Sequence, residues 1–270
     1  MKIVEQFVQG KAPNQKLCED RIFASPSYTA IIDGVTSKSQ IRWNGQPGGI
    51  FAADLLENIL SHLKEDATAI SFIEQTTKAF SDACDTNKVR TPADRIQACC
   101  VVYSVSRREL WFVGDCKAMV DSVEVTNPGL DGEQVYSQAR ALFLECELAK
   151  GKTLEELATH DSGRDFILPL IRDYLIFANN SSSPYGYSVF NGLPIPMSLV
   201  HIVPLTPGPH EIALASDGYP LLLPSLEESE KHLRRLLEED PMCFRTNMRP
   251  KGLMNGYSSF DDRSYIRFEI

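Results

Sequence analysis

Several short apolar runs along the chain stop at, or start from, an aspartate. The runs in IIDGV, FVGDC and ASDGY end at Asp33, Asp115 and Asp217, and the run in FDDRSYI begins just after Asp261 and Asp262. A single Asp-Gly pair is commonly only a turn. Four such stretches in one chain, each with an aspartate beside an apolar strand, indicate a shared role.

Runs of four to ten residues rich in β-branched and aromatic side chains, separated by polar turns, predict strands. The first pair forms a predicted hairpin that leads to Asp33, and the three runs between residues 96 and 125 are predicted to be consecutive antiparallel strands. The predicted strands cover residues 4–10, 21–24, 28–33, 96–105, 109–115, 118–125, two runs within 199–216, and 264–270.

Apolar residues at three- and four-residue spacing predict amphipathic helices over 48–63 and 69–87. Residues 133–179 are predicted to be mostly helical, with Pro169 kinking or starting its helix. The composition of 179–188 predicts a loop. Two capping boxes, Thr153 with Glu156 and Ser225 with Glu228, predict helix starts, the second for a helix over 226–240.

Strands therefore come in runs, and so do helices. This order favours an α+β layered fold with antiparallel sheets over an alternating Rossmann-type fold. The sequence has no internal repeat and no low-complexity linker, so we predict a single domain over 1–270.

Composition narrows the class of protein. The chain has 270 residues, 43% hydrophobic, which suffices for one large core or two small ones. A formal charge of −9 argues against a nucleic-acid partner, because binding phosphates requires clustered Lys and Arg.

The apolar runs of the chain fall short of the roughly 18 residues that span a bilayer, and residues 1–11 lack the apolar segment of a secretion signal. We expect a cytoplasmic protein without a membrane partner, with its seven scattered cysteines as free thiols.

The acidic residues at strand ends are the main candidates for chemistry. Hard cations such as Mg²⁺ and Mn²⁺ prefer oxygen ligands, and two such ions roughly 3.5–4 Å apart can activate water and polarise a phosphoryl group. The candidates are Glu19, Asp20, Asp33, Asp115, Asp217, Asp261 and Asp262.

Other chemistries have weaker signals. The five histidines show no HExxH spacing, and no GxSxG motif is present. A cysteine nucleophile with a histidine base stays open, without a local signature to support it. The glycine-rich stretch 44–49 opens a helix, so it is either an anion site at a helix N-terminus or a flexible loop.

Taken in order, the motifs CED (18–20), IIDGV (31–35), FVGDCKAM (112–119), ALASDGY (213–219) and FDDRSYI (260–266) resemble those of the PP2C-like (PPM) family of metal-dependent Ser/Thr protein phosphatases. They span nearly the whole chain. The resemblance implies an α+β fold, a PP2C-like αββα sandwich of two mainly antiparallel β-sheets flanked by helices. It also implies hydrolysis of phosphoserine and phosphothreonine in a phosphorylated protein by a metal-bridging hydroxide, without a phosphoenzyme.

The same resemblance implies two Mn²⁺ or Mg²⁺ ions and, more weakly, a third. Asp33 would bridge the two ions, Asp217 and Asp261 would hold one, and Glu19, or Asp20 through water, would serve the other with a carbonyl oxygen. Asp33, Asp217 and Asp261 are thus the implied catalytic set. The implied metal ligands are Glu19, Asp20, Asp33, Gly34, Asp115, Asp217 and Asp261.

Three features depart from the family pattern. The arginine that the family often places before its first acidic pair is absent, so we expect Lys16, Arg249 or Lys251 to bind the substrate phosphate. About ten residues separate DG from GG in DGVTSKSQIRWNGQPGG, where the family runs directly on. No acid follows SDG closely, which weakens a third metal site.

The segment 126–198 corresponds to the family's flap, and we expect it to border the active site and select the substrate. Two alternatives to the phosphoprotein phosphatase remain open. One is a PP2C-like pseudophosphatase that acts as a signalling or binding module, and the other is a phosphomonoesterase for small molecules.

Overall fold

The computed structural model describes residues 1–85, 89–125 and 131–270. The ends of two predicted segments, residues 86–87 of the second helix and 126–130 of the flap, lie outside the described residues. Within the described residues no helix is long and apolar enough to cross a membrane.

Among the described residues, ten strands form two five-stranded sheets in which every neighbouring pair is antiparallel. The first sheet has the order β2-β3-β4-β5-β8, and the second sheet has the order β1-β10-β9-β6-β7. The strands are β1 (Lys2–Gln9), β2 (Asp20–Ala24), β3 (Tyr28–Gly34), β4 (Ala98–Ser104), β5 (Glu109–Val113), β6 (Lys117–Val120), β7 (Val123–Val125), β8 (His201–Pro204), β9 (Glu211–Ala215) and β10 (Arg263–Glu269).

Six α-helices complete the described structure. They are α1 (Gly48–His62), α2 (Ala69–Asp85), α3 (Asp131–Ala149), α4 (Leu154–Thr159), α5 (Ser162–Tyr174) and α6 (Leu226–Glu239). Both predicted helix starts are confirmed. Thr153 and Glu156 form the full capping box, whereas at Ser225 the side chain accepts from the Glu228 amide and donates its hydroxyl to the Glu228 carboxylate. Pro169 lies inside α5 and not at its start.

The core explains why the strand sequences read as continuous apolar runs. Along β4, Cys100 and Val102 face α1 and α2, whereas Val101 and Tyr103 face the second sheet. A strand that is covered on both faces has no polar side to alternate with. Full burial of each large apolar side chain contributes about 1.5–3 kcal/mol, so this strand anchors both halves of the core.

The layers follow from these contacts. Helices α1 and α2 cover the outer face of the first sheet, and the two sheets pack on each other. On the far side, Leu233 and Leu237 of α6 pack against Ala213 and Tyr265 of the second sheet. The order helix–sheet–sheet–helix confirms the predicted α+β sandwich.

Two strand predictions were wrong in detail. The single strand predicted over 118–125 is a hairpin, β6 and β7, whose turn residues Asp121 and Ser122 have φ of 50° and 67°. Positive φ at both positions is the type I′ geometry that suits a two-residue hairpin. In addition, the chain leaves the first sheet after β5 and joins the second sheet at β6, so the three predicted consecutive strands do not all pair with each other.

Candidate active site

Four of the predicted carboxylates line one cavity at one end of the sandwich, which we call the acidic cavity. Asp33 ends β3 and Asp115 follows β5, two strands that run in the same direction on either side of β4. Asp217 follows β9 and Asp261 precedes β10, and these strands are antiparallel neighbours in the second sheet. The topology therefore brings together residues that are up to 228 positions apart in sequence, from Asp33 to Asp261.

Glu19 and Asp20, at the start of β2, lie outside the set of residues that line this cavity. Asp20 is opposite Asp33 in the β2–β3 register and is buried, with its Oδ2 accepting from the Ser264 hydroxyl at 2.8 Å. Burial raises the pKa of Asp20 to about 8, with a further rise from Asp262 and an opposing contribution from hydrogen bonds to two serines. Asp20 therefore lies within the fold, between the two sheets.

Gly34 and Gly49 bring β3 and the start of α1 into backbone contact. A Cβ on Gly34 would lie 2.2 Å from the Gly49 carbonyl oxygen, and a Cβ on Gly49 would lie 2.1 Å from Glu19 Oε1 and 2.9 Å from the Gly34 carbonyl oxygen. The extra residues between DG and GG loop out and return to the same place. Glu19 Oε1 and the Gly34 carbonyl oxygen consequently both lie close to Gly49.

The inserted residues form part of the cavity wall. The indole of Trp43 is buried and stacks on Phe51 of α1, with ring centroids 5.8 Å apart. From the same loop Lys38 lines the acidic cavity. Burial, followed by the nearby Arg164 and Lys251, lowers the pKa of Lys38 to about 7.

Cations other than Lys38 also reach the cavity. Arg249 and Lys251, both predicted as phosphate ligands, line it together with Arg164 of α5. Lys16 lies in an exposed 3-10 helix, outside the residues that line the cavity. A different lysine, Lys11, contacts the first acidic pair, with its Nζ 3.6 Å from Glu19 Oε2 and 3.1 Å from Asp261 Oδ1.

The carboxylates fall into two electrostatic environments. Asp33 and Asp115 have no ion-pair partner among the described residues. Burial and the surrounding acids, including Asp217, raise the pKa of Asp33 well above its usual range and that of Asp115 to about 7. Burial also acts on Asp261, but Lys11 and Lys251 outweigh it and hold the pKa of Asp261 below its ordinary value.

Glu133, in the first turn of α3, adds an acid that the sequence pattern did not single out. Its carboxylate lies 3.5 Å from Arg249 Nη1, which is also 3.7 Å from Asp217 Oδ2. Burial, and then the charge of Asp217, raises the pKa of Glu133. Glu133 therefore supplies an acid beside Asp115 and Asp217, where the sequence after SDG lacks one.

The acidic cavity offers the carboxylate oxygens that a divalent metal prefers as ligands, and part of it lacks a balancing positive charge. Among the described residues, no three His, Cys, Asp or Glu side chains are placed such that they hold a metal ion together. Burial beside other acids nevertheless raises the pKa of Asp33 and Asp115, and a hard cation at this position would favour the charged form of both carboxyl groups. At Asp261, by contrast, the protein supplies the positive charge itself.

Three charged residues that line the cavity were missed because they have no local sequence signal: Lys38, Glu133 and Arg164. Lys11, which contacts Asp261, was missed for the same reason. Each lies in a loop or a helix turn, a setting in which most charged side chains are simply solvated. Glu133 and Arg164 reach the cavity from distant segments, whereas Lys38 lies in the loop that follows Asp33.

The structure was compared with known proteins. No protein-family model matches the chain, and no curated protein matches it. Among solved structures, serine/threonine phosphatase Stp1 from Staphylococcus aureus is 14% identical, with a TM-score of 0.51 over 100% of this chain and 95% of Stp1. The catalytic domain of phosphatase PstP, solved with two manganese ions, is 14% identical over 100% of both chains, with a TM-score of 0.49. RsbX, solved with magnesium, is 11% identical over 98% of this chain and 97% of its own, with a TM-score of 0.46.

The match to Stp1 extends over the whole chain, so it concerns the complete sandwich and its flanking helices and not one shared motif. At this level of identity it establishes architecture. Together with the two five-stranded sheets and six helices described above, it confirms that the chain has the fold of the PP2C-like (PPM) phosphatases, the family that its motifs resemble.

Proposed function

We propose that this protein is a metal-dependent phosphatase that hydrolyses phosphoserine and phosphothreonine in protein substrates. One observation supports this above the others: a PP2C-like fold places Asp33, Asp115, Asp217 and Asp261 around one cavity that also contains cationic side chains. Carboxylates bind divalent metal, and cations bind phosphate, so both halves of a phosphoryl-transfer site are present.

The proposed cofactor is Mn²⁺ or Mg²⁺, bound on the side of the cavity that Asp33, Asp115 and Asp217 line. A divalent ion at this position supplies Lewis-acid activation of water and neutralises charge on the phosphoryl oxygens. The carboxylates themselves fix where that positive charge lies. They also give the cavity a net negative charge, so an anionic substrate enters only when cations offset it.

Arg249 and Lys251 are the proposed phosphate ligands. The Arg249 guanidinium lies over the Phe260 ring, 5.6 Å from its centroid, and is only partly exposed. A planar guanidinium presents two donors to a phosphate, whereas Lys251 offers a point charge. Arg164 and Lys38 line the same cavity.

We propose that the chain is a single catalytic domain and that 126–198 is its substrate-selecting flap. In the described part of that segment, Tyr136 of α3 and Tyr174 of α5 line the acidic cavity beside Tyr187. These aromatic side chains form an apolar wall next to the charged groups. A peptide that carries the phosphoresidue would rest on this wall, which gives the flap a direct means of selecting sequence.

Hydrolysis of a phosphothreonine peptide by the pure protein, with millimolar Mn²⁺ or with a chelator, tests the proposal. We expect metal-dependent turnover and a loss of more than about a hundredfold in Asp217→Asn, the loss typical when one group that stabilises transition-state charge is removed. Asp82→Asn is the matched control, because Asp82 is an exposed aspartate on α2 that forms a surface pair with Lys78. Turnover that survives in Asp217→Asn would contradict the proposal.

A pseudophosphatase that binds a signalling partner is the second candidate. It is favoured by the two lysine ammonium groups that already neutralise Asp261. A folded protein that binds a phosphopeptide but shows no turnover with any divalent metal would support this candidate. Turnover of p-nitrophenyl phosphate without turnover of phosphopeptides would instead support the small-molecule phosphomonoesterase.

A further inference from the structure

Lys11 lies in the loop between β1 and the 3-10 helix over 15–17, and its ammonium group is directed into a cluster of acids. Its Nζ is 3.1 Å from Asp261 Oδ1, 3.4 Å from Asp262 Oδ2 and 3.6 Å from Glu19 Oε2. The Thr36 hydroxyl oxygen is 3.3 Å away. Four oxygen atoms thus surround one positive charge, and the Lys11 side chain is only 17% exposed.

The backbone around Lys11 is fixed by the same acids. The Lys11 amide donates to Asp262 Oδ1 at 2.7 Å, and the Glu19 amide donates to Asp262 Oδ2 at 3.0 Å. The Ser258 amide donates to the Lys11 carbonyl at 2.9 Å. Asp262 therefore holds the Lys11 loop and Glu19 together. The Lys11 ammonium has a fixed position as a result, unlike the ammonium of a free surface lysine.

The acids in this cluster have little capacity left for another ligand. One oxygen of Asp261 faces Lys11, and the other lies 2.5 Å from Lys251 Nζ. The Thr36 hydroxyl donates to Glu19 Oε2, while Glu19 Oε1 lies against Gly49. By contrast, Asp33 and Asp115 face no cation within ion-pair distance in the described part of the chain.

We propose that the Lys11 ammonium is the resident cation between Glu19 and Asp261 and replaces one of the two divalent ions. The chain then binds divalent metal only on the Asp33, Asp115 and Asp217 side of the acidic cavity. This inference rests on the proposed metal-dependent function for its remaining ion. It changes the expected metal stoichiometry from two ions to one and explains how Glu19 and Asp261 remain buried without metal.

Titration with Mn²⁺ by calorimetry, using folded protein freed of metal, tests this proposal without an activity assay. We expect one equivalent for the wild type and two for Lys11→Met, which keeps the length of the side chain but removes its charge. Lys16→Met is the matched control, because Lys16 is exposed on the adjacent 3-10 helix, and it should retain one equivalent. Two equivalents in both wild type and Lys11→Met would overturn the proposal while leaving the phosphatase function intact.

Glu19→Gln provides an answer even if Lys11→Met does not fold. If Lys11 already neutralises Glu19, the substitution leaves the number of bound Mn²⁺ ions at the wild-type value. Loss of one equivalent in Glu19→Gln would show that a divalent ion uses Glu19 and would overturn the proposal.

The two proposals fail separately. No Mn²⁺ binding by the wild type, with one equivalent gained in Lys11→Met, would support Lys11 as the resident cation and contradict the metal-dependent function. No binding by either protein, each with a native circular dichroism spectrum, would overturn both.

Discussion

Glu19 and Asp20 are adjacent acids in the sequence, but the fold gives them different partners. Glu19 faces Lys11 and Thr36, whereas Asp20 is buried between the sheets with the hydroxyl of Ser264. Successive side chains of a strand point to opposite faces, which separates the two carboxyl groups. The sequence identifies both as candidates and cannot tell which one has a cationic partner, because Lys11 reaches the site through a loop.

Asp20 should make the metal-free protein less stable as pH rises. Its folded-state pKa is about 8, against about 3.8 in the unfolded chain, so the folded protein retains a proton that the unfolded chain releases. Stability is therefore lost as pH rises through this window. One pKa unit corresponds to about 1.4 kcal/mol, so we expect Asp20 to account for roughly 2–3 kcal/mol of lost stability between about pH 5.5 and 8.5.

Urea unfolding of wild type and Asp20→Asn in chelator, at both pH values, measures this contribution. The substitution keeps an oxygen for the Ser264 hydroxyl and removes the titrating group. We expect a smaller loss of stability with pH in Asp20→Asn than in the wild type. An equal loss in the two proteins would show that Asp20 does not titrate as described, and the exposed Asp82→Asn variant controls for a change in net charge.

At the scale of elements, the start of α1 is the point where helix and sheet meet most closely. Gly48 and Gly49 both lie in its first turn, but a Cβ would meet different surroundings at the two positions. At Gly49 it would lie 2.1 Å from Glu19 Oε1, whereas at Gly48 the nearest atom is Ser37 Cβ at 3.3 Å. Because Glu19 is held by Thr36 and Lys11, it has little freedom to move away.

Gly49→Ala should therefore destabilise the protein although alanine favours helix. The gain in helix propensity is about 1 kcal/mol, and inserting a methyl group into a packed site costs about 1–3 kcal/mol. We expect a net loss for Gly49→Ala and a change near zero for Gly48→Ala, measured by urea unfolding. Equal effects at the two positions would argue against close contact between α1 and Glu19.

Elements that depend on a local sequence pattern were predicted, whereas features that depend on distant parts of the chain were not. Helix starts at Ser225 and Thr153 were predicted because a capping box is a local pattern of four residues. The β6–β7 turn was missed because Asp121-Ser122 is a weak form of a turn signal that asparagine and glycine carry more clearly. The change of sheet between β5 and β6 has no local signal, since it depends on which partner strand returns later in the chain.

At the scale of the whole molecule, the acidic cavity depends on segments that only tertiary structure brings together. The aspartates were predictable because each ends or begins a strand, and strand ends lie at the edges of sheets. Lys11 and Glu133 were not, because nothing near them in the sequence indicates which surface they face. Positive and negative charges at this cavity come from segments spread along the chain, from Asp33 and Lys38 to Lys251 and Asp261, so their balance is set by the fold.

Arg140 of α3 connects the flap helices to the segment that carries the proposed phosphate ligands. Its side chain is fully buried, and its guanidinium binds Asp161 with an Nη2–Oδ2 distance of 2.6 Å. It also donates to the carbonyl oxygens of Met242, Cys243 and Arg249 at 2.9–3.2 Å. All five N–H donors of the guanidinium are thus satisfied, which a lysine with three donors cannot reproduce.

Arg140→Leu should destabilise the whole fold by about 3–5 kcal/mol, because it removes the cationic partner of the buried Asp161 carboxylate and the donors to three carbonyl oxygens. Arg140→Lys should recover only part of this loss. Urea unfolding measures both, and Arg235→Leu, which breaks the surface pair with Glu239 on α6, should give no measurable change. If Arg140→Leu is as stable as the wild type, the flap and the segment of Arg249 are held together by apolar packing alone, and the position of the phosphate ligands does not depend on the flap.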